Sequence, residues 1–252
     1  MSLVRFLLFL LLIALAITGC DDPRPSPTAE PPASESSAWS YEGNTGPEHW
    51  AALSDDYSAC DGAQQSPINL TDPSDPTDGT LLNTSYITES GTVTDTGHAV
   101  QVNTTGGTLT LGGTTYDLQQ IHAHVPSEHT VAGDRSAAEL HLVHEAGEEQ
   151  LAVLGIFVEE GRRAHAALDG WIQGRDTTLS VNAGRLLPDR QSYYTYEGSL
   201  TKPPCREVVR WVVMDHPIQA SEEQIETLRA QYGGTARPVQ PRGDRRLVYV
   251  GL

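Results

Sequence analysis

Basic residues are scarce in this chain. Lysine and arginine together number 16 against 33 aspartates and glutamates, and Lys202 is the one lysine among 252 residues. The formal charge of −17 argues against nucleic acid or an anionic membrane surface as the main partner, since both are polyanions. A solvated acidic surface is the plain reading. Long apolar runs are missing as well. Phe6 to Ile17 gives 12 uncharged residues, short of the roughly 20 that a membrane-spanning helix needs. Helix signals are few, and no internal repeat is evident, which argues against a repeat architecture. Cysteines number only three. Apolar residues still make up 38 %, enough to bury a core in a chain of this length.

The opening stretch, "MSLVRFLLFLLLIALAITGC", reads as a targeting segment. Arg5 is the positive flank and the run after it a signal-peptide core, which gives a signal peptide over 1–19. The closing "ITGC" resembles the lipobox of bacterial lipoproteins, in which the cysteine is lipidated and becomes the new N-terminus. That resemblance makes Cys20 the lipidation site. It implies an exported lipoprotein of the periplasm or cell surface that touches the membrane through its N-terminal lipid alone. An ordinary signal peptide cleaved nearby is the alternative. Residues 20–38 continue as a proline- and serine-rich tether with nothing large to bury. Trp39 opens the folded part, and 39–252 reads as a single domain. With Cys20 set aside, Cys60 and Cys205 are an even pair in an oxidising setting and read as one disulfide; two free buried thiols are the alternative.

The folded part alternates as strands do. "HAVQVNT" and "TLTLGGTTYDLQQIHAHV" have period two, with "TG" and "GG" as turns. "AELHLVHE", "QLAVLGIFVEE" and "REVVRWVVMDH" are further strands, the middle one apolar enough to be covered on both faces. The best helix is "SEEQIETLRAQYGG": Ser221 and Gln224 make a capping box, Ile225, Leu228 and Tyr232 one stripe, and Gly233 a stop. "RAHAALDGWIQ" is a weaker one. The expected class is mainly β, a large twisted, mostly antiparallel sheet with short peripheral helices.

Chemistry concentrates in "IHAHVPSEHT", residues 121 to 130. Successive side chains on a strand point to opposite faces, so His122 and His124 share one face. A turn at "AGDRSA" returns the chain antiparallel through "AELHLVHE", where Glu139 and His141 share a face and His144 points away. Three imidazoles in phase, His122, His124 and His141, leave the fourth position of a tetrahedral zinc open, as in a catalytic site. Gln120 and Glu139 lie two residues before a ligand on the same faces, suited to accept from its second nitrogen. His129 and His144 fall outside the set and read as hydrogen-bonded structural groups.

With these residues in view, the chain resembles the α-class carbonic anhydrases. "WSYEGNTGPEHW", "QQSPINL", "TGHAVQV", "QQIHAHVPSEHTV", "AELHLVH", "AVLGIF", "YEGSLTKPPC" and "ARPVQP" are family blocks in family order. The resemblance implies zinc on His122, His124 and His141, oriented by Gln120 and Glu139. It implies that Thr201 accepts a hydrogen bond from zinc-bound hydroxide, that Glu128 partners the threonine, and that His98 shuttles the proton. Tyr41 would order pocket waters, and Val143, Val153, Leu200, Val209 and Trp211 would form the apolar wall for carbon dioxide. Two positions depart from the family. Lys202 stands where a small hydroxyl residue is common, so it either favours anions at the pocket or points to solvent. Thr235 replaces an asparagine whose backbone carbonyl serves one ligand histidine.

The implied activity is zinc-dependent, reversible hydration of carbon dioxide to bicarbonate and a proton, with a homodimer possible. A non-catalytic zinc-binding module of the same fold is one alternative, but all three histidines, Thr201 and Glu128 are present. A metal-dependent esterase is another, and the valines at 143 and 153 argue against the larger pocket it needs.

Overall fold

The computed structural model describes residues 39–74, 81–147, 149–173 and 177–251. The expected signal peptide, the lipid-bearing Cys20 and the tether lie outside the described residues, as does the Tyr232 side chain.

Period-two alternation builds a 12-stranded sheet. Its neighbours are antiparallel except around Leu151–Gly161, which runs parallel to both Val209–Met214 and Ile218–Ser221. The parallel pairing was not anticipated, but the burial of this strand was: Ala152 to Val158 are all buried, since the strand is covered on both faces. Strands whose alternation rests on Ser and Thr were not anticipated. Leu82–Tyr86 and Thr178–Val181 alternate half-buried with exposed residues, a weak amphipathic signal that pairing makes regular.

Helices sit where the caps put them. Ser221 accepts from the Gln224 N–H and the Gln224 side chain answers, so both halves of the capping box are made at the start of Glu222–Tyr232. Ile225 and Leu228 of that helix are buried in the main core. The weaker helix is Ala166–Gln173. The Gln224 side chain also donates to the His165 carbonyl and to Asp169, which ties the two helices together.

Cys60 and Cys205 form a disulfide across 145 positions. Closing a loop of that size restricts the unfolded chain by about 5 kcal/mol in the chain-entropy picture. Both sulfurs lie in a small aromatic cluster with Trp50, packed by Trp39, Tyr41 and Tyr57. The other core spans the sheet and includes Ile121, Leu140, Leu142, Leu154 and Met214.

His144 points away from His141 and is fully buried, its Nε2 2.9 Å from the Tyr86 hydroxyl. Burial lowers its pKa from 6.5 to about 4. Between those values the unfolded chain binds one more proton than the folded one. The stabilising contribution is therefore complete above pH 6.5 and is lost as pH falls toward 4, at about 1.4 kcal/mol per pH unit. His144→Gln keeps a polar group beside Tyr86 without that titration. Denaturant melts from pH 7 to 4.5 are expected to show a shallower loss of stability in the variant, by one proton. Parallel curves for the two proteins would rule the linkage out.

Candidate metal centre

Cross-strand register builds the site. Strand Thr114–His124 pairs antiparallel with Ala138–Glu145 so that His122 faces His141 and His124 faces Glu139. A shift of register between Leu118 and Gln120 precedes this stretch. Extended through the neighbouring strands, one row across the sheet reads Gln101, His122, His141, Gly155, Val213. The next row on the same face reads Asn103, Gln120, Val143, Val153, Trp211, Tyr196. Polar ligands and an apolar wall are thus adjacent rows of one surface.

Ligand atoms of His122, His124 and His141 lie within 4.8 Å of one another, all three residues buried. Each ring is held by its other nitrogen. His122 Nδ1 is 2.8 Å from Gln120 Oε1, His124 Nδ1 is 2.7 Å from the Thr235 carbonyl, and His141 Nε2 is 2.9 Å from Glu139 Oε1. Those acceptors require the hydrogen on the held nitrogen. The lone pairs are therefore on Nε2 of His122, Nε2 of His124 and Nδ1 of His141. Burial is the main reason His122 sits well below the usual imidazole pKa and His124 at about 4, so both are neutral near pH 7. The Thr235 side chain differs from the family's asparagine, but the carbonyl it presents does not depend on side-chain identity.

Glu139 receives four bonds. Its Oε1 accepts from His141 Nε2 and, at 2.7 Å, from His129 Nδ1. Its Oε2 accepts from the backbone N–H groups of Glu128 and His129 at 2.9 and 2.8 Å. Burial would raise its pKa, and the facing imidazoles of His129 and His141 outweigh that and hold it well below the usual carboxylate range. His129 passes the chain on, with Nε2 2.6 Å from the Tyr196 hydroxyl, which lies 2.9 Å from Ser66 Oγ.

Glu128 is also fully buried. Its Oε1 accepts from the Arg237 backbone N–H at 2.9 Å. Its Oε2 lies 3.4 Å from His124 Nε2 and 3.9 Å from His141 Nδ1, and among the described residues no hydrogen bond satisfies it. The expected Glu128–Thr201 bond is not made among the described residues, although the Thr201 side chain is buried. The free oxygen faces the ligand nitrogens instead. Three nitrogen donors, each oriented from behind, with an unsatisfied carboxylate oxygen beside them, fit zinc.

Val153, Val209 and Trp211 are buried in one apolar cluster, against which Val143 and Leu200 pack. His98 is half-exposed and stacks on Trp39 with ring centroids 3.7 Å apart, and Tyr41 lies edge-on to it at 6.4 Å. Tyr41's hydroxyl is buried and makes no hydrogen bond among the described residues, and burial, followed by the Glu128 charge, raises its pKa. Lys202 is half-buried.

The family model for eukaryotic-type carbonic anhydrase matches residues 45–250. This chain belongs to the α-carbonic anhydrase family. A carbonic anhydrase of Pectobacterium carotovorum is 37 % identical over 229 residues, which is 86 % of this chain and 93 % of that protein. The α-carbonic anhydrase structure from Photobacterium profundum is 35 % identical, with a TM-score of 0.78 over 84 % of this chain and all of that one. Dioscorin in complex with ascorbate shares the fold at 31 % identity and a TM-score of 0.77, covering 85 % and 98 %.

Several carbonic anhydrase residues escaped the sequence reading. Arg237 is fully buried beneath the site. Its guanidinium donates to Gln65 Oε1, to the Ser66 carbonyl and to the Cys60 carbonyl, and lies 5.3 Å from the Trp50 ring centre. Tyr196, Ser66 and Ser199 complete the chain from His129. The one available signal was their place inside the "QQS", "YEGS" and "ARP" blocks.

Gly155 faces His141 across the strands, and a Cβ there would come within 2.8 Å of Glu139 Oε1. Gly155→Ala must therefore displace the oxygen that holds both His141 and His129. Zinc affinity is expected to fall about 10- to 100-fold, the usual consequence of disturbing a group that orients a metal ligand. Competition titration against a chelator measures this. Unchanged affinity would mean that Glu139 does not set the His141 ring.

Proposed function

We propose that this protein catalyses the reversible hydration of carbon dioxide to bicarbonate and a proton on zinc held by His122, His124 and His141. The observation that carries the reading is the pair of adjacent rows, three oriented imidazoles beside a wall of valines and Trp211. When bound, zinc supplies a Lewis acid that brings the pKa of a water to about 7, the value known for carbonic anhydrases.

The remaining roles belong to the chain. Carbon dioxide has neither charge nor dipole, so the wall of Val143, Val153, Leu200, Val209 and Trp211 binds it by contact rather than by a charged clamp. Thr201 orients the attacking oxygen. The Glu128 carboxylate accepts a hydrogen bond from the Thr201 hydroxyl and so leaves the threonine oxygen free to accept in turn. The support is Oε2 of Glu128, which accepts no hydrogen bond among the described residues.

His98 carries the proton outward past Tyr41. A proton leaving a group of pKa about 7 for bulk water does so at about 10³ s⁻¹ if recombination is diffusion-limited. Faster turnover needs a nearby base. Burial, and secondarily the Lys202 charge, lower the pKa of His98, so its imidazole is neutral and able to accept at neutral pH. Stopped-flow hydration assays on zinc-loaded protein test the set. His141→Ala should lose metal and activity. His98→Ala should lower kcat, leave kcat/KM nearly unchanged and recover in imidazole buffer. A zinc-loaded wild type without hydration activity would overturn the assignment, and an unchanged kcat in His98→Ala would remove the shuttle.

We also infer that the protein is exported and anchored through a lipidated Cys20, with 39–252 as the catalytic domain. The Cys60–Cys205 disulfide supports an oxidising compartment. Mass analysis should find the N-terminal peptide of the mature protein beginning at Cys20 with acyl mass attached. A different N-terminus without acyl mass would leave export but remove the anchor.

A further inference from the structure

The reverse face of the sheet holds a cavity that the metal centre does not use. Ile121 lies between Gln120 and His122 on its strand, so its side chain points away from the ligands. Val102 pairs with Ile121 from the neighbouring strand. These two residues line a cavity of about 380 Å³ together with Leu179 and Val181 of the edge strand Thr178–Val181 and Leu186. Ala166 and Ala167 border it from the helix Ala166–Gln173, and alanines leave the space unfilled. At about 30 Å³ per non-hydrogen atom, a liquid water's share, there is room for about a dozen atoms. Such a lining offers water few partners, and each apolar atom placed against it recovers contacts the lining lacks.

Polar groups around the cavity are few, and they differ in state. The Asn182 side chain is committed to the wall. Its Oδ1 accepts from the Gly184 N–H at 3.0 Å and its Nδ2 donates to Thr88 Oγ1 at 3.2 Å. Arg185 is exposed at the mouth and is the one charged residue in the lining among the described residues. Its guanidinium makes no hydrogen bond or ion pair among them. A guanidinium fork matches the two oxygens of a carboxylate. One such cation balances one negative charge, and the formal charge of −17 disfavours an anion of higher charge.

We propose that this cavity binds medium-chain monocarboxylates, with the hydrocarbon against Val102, Ile121, Leu179, Val181 and Leu186 and the carboxylate on Arg185. The site lies on the opposite face of the strands that carry the histidines, so it stands or falls apart from the zinc reading. In the test, zinc-loaded full-length protein is titrated calorimetrically with hexanoate, octanoate, decanoate and dodecanoate, and with octan-1-ol as an uncharged counterpart. Affinity is expected to rise about fourfold per methylene up to decanoate, whose non-hydrogen atoms number about a dozen, and no further with dodecanoate. Arg185→Gln should weaken octanoate about tenfold and leave octan-1-ol within about twofold, with Arg185→Lys between Gln and wild type. Ala167→Phe fills the cavity and should abolish binding of acid and alcohol alike, with zinc content and carbon dioxide hydration at wild-type levels. Because Arg185 is exposed, its replacement tests the proposal even if Ala167→Phe fails to fold. Equal losses of acid and alcohol in Arg185→Gln, or octanoate binding that survives in folded Ala167→Phe, would overturn the proposal. Octanoate binding that disappears on zinc removal would put the carboxylate on the metal and overturn it too, as would a wild type that binds no octanoate.

Discussion

Glu139 is the group on which the site depends. A carboxylate with no solvent contact is tolerable only if its lone pairs are filled, and four N–H donors fill them. Two come from the backbone at Glu128 and His129, so the carboxylate fixes the loop after the His122–His124 strand. Two come from imidazoles, so it also sets the ring of a metal ligand and of the histidine behind it. Gly155 belongs to the same constraint, because any side chain there would invade the space the carboxylate fills. One buried charge thus orders a strand, a loop and a ring together.

The turn carrying Thr201 and Lys202 is braced as firmly. Ser199 exchanges hydrogen bonds with Ser66, whose backbone N–H donates to Ser199 Oγ at 2.9 Å while Ser66 Oγ accepts from the Ser199 N–H at 3.1 Å. The Leu200 N–H donates to the Arg206 carbonyl, and Cys205 is bonded to Cys60. Arg237 gathers the same segments from below through Gln65, Ser66 and Cys60. Residues remote in sequence hold a short turn still, which is what aiming a hydroxyl at a reacting centre requires. The polarity pattern is consistent with this division. Valines and Trp211 form the apolar part of the site, and the buried Glu128, Glu139 and Arg237 its polar part.

Much of this was legible because strand periodicity is rigid. His122 and His124 are two apart, so they share a face in any strand. Gln120 and Glu139 precede ligands by two, so they lie along the same faces. The unbroken apolar run from Leu151 to Val158 announced a strand covered on both sides. Ser221 and Gln224 announced a helix start. The strands rich in Ser and Thr were missed because half-exposed polar alternation looks like loop until a neighbour supplies the hydrogen bonds.

By itself the sequence determined which residues share a face, which helix is capped and that two cysteines remain to pair. It determined these because they depend on backbone geometry within one segment or on residue type alone. Only the tertiary structure decided that His122 faces His141 and that Gly155 lies against Glu139. It alone decided that Glu128 presents an unsatisfied oxygen to the ligands and that the Thr235 carbonyl reaches His124 across 111 positions. Register, loop closure and the meeting of distant segments are properties of the packed whole. A one-residue slip between two strands would leave every local pattern intact and take the three histidines apart.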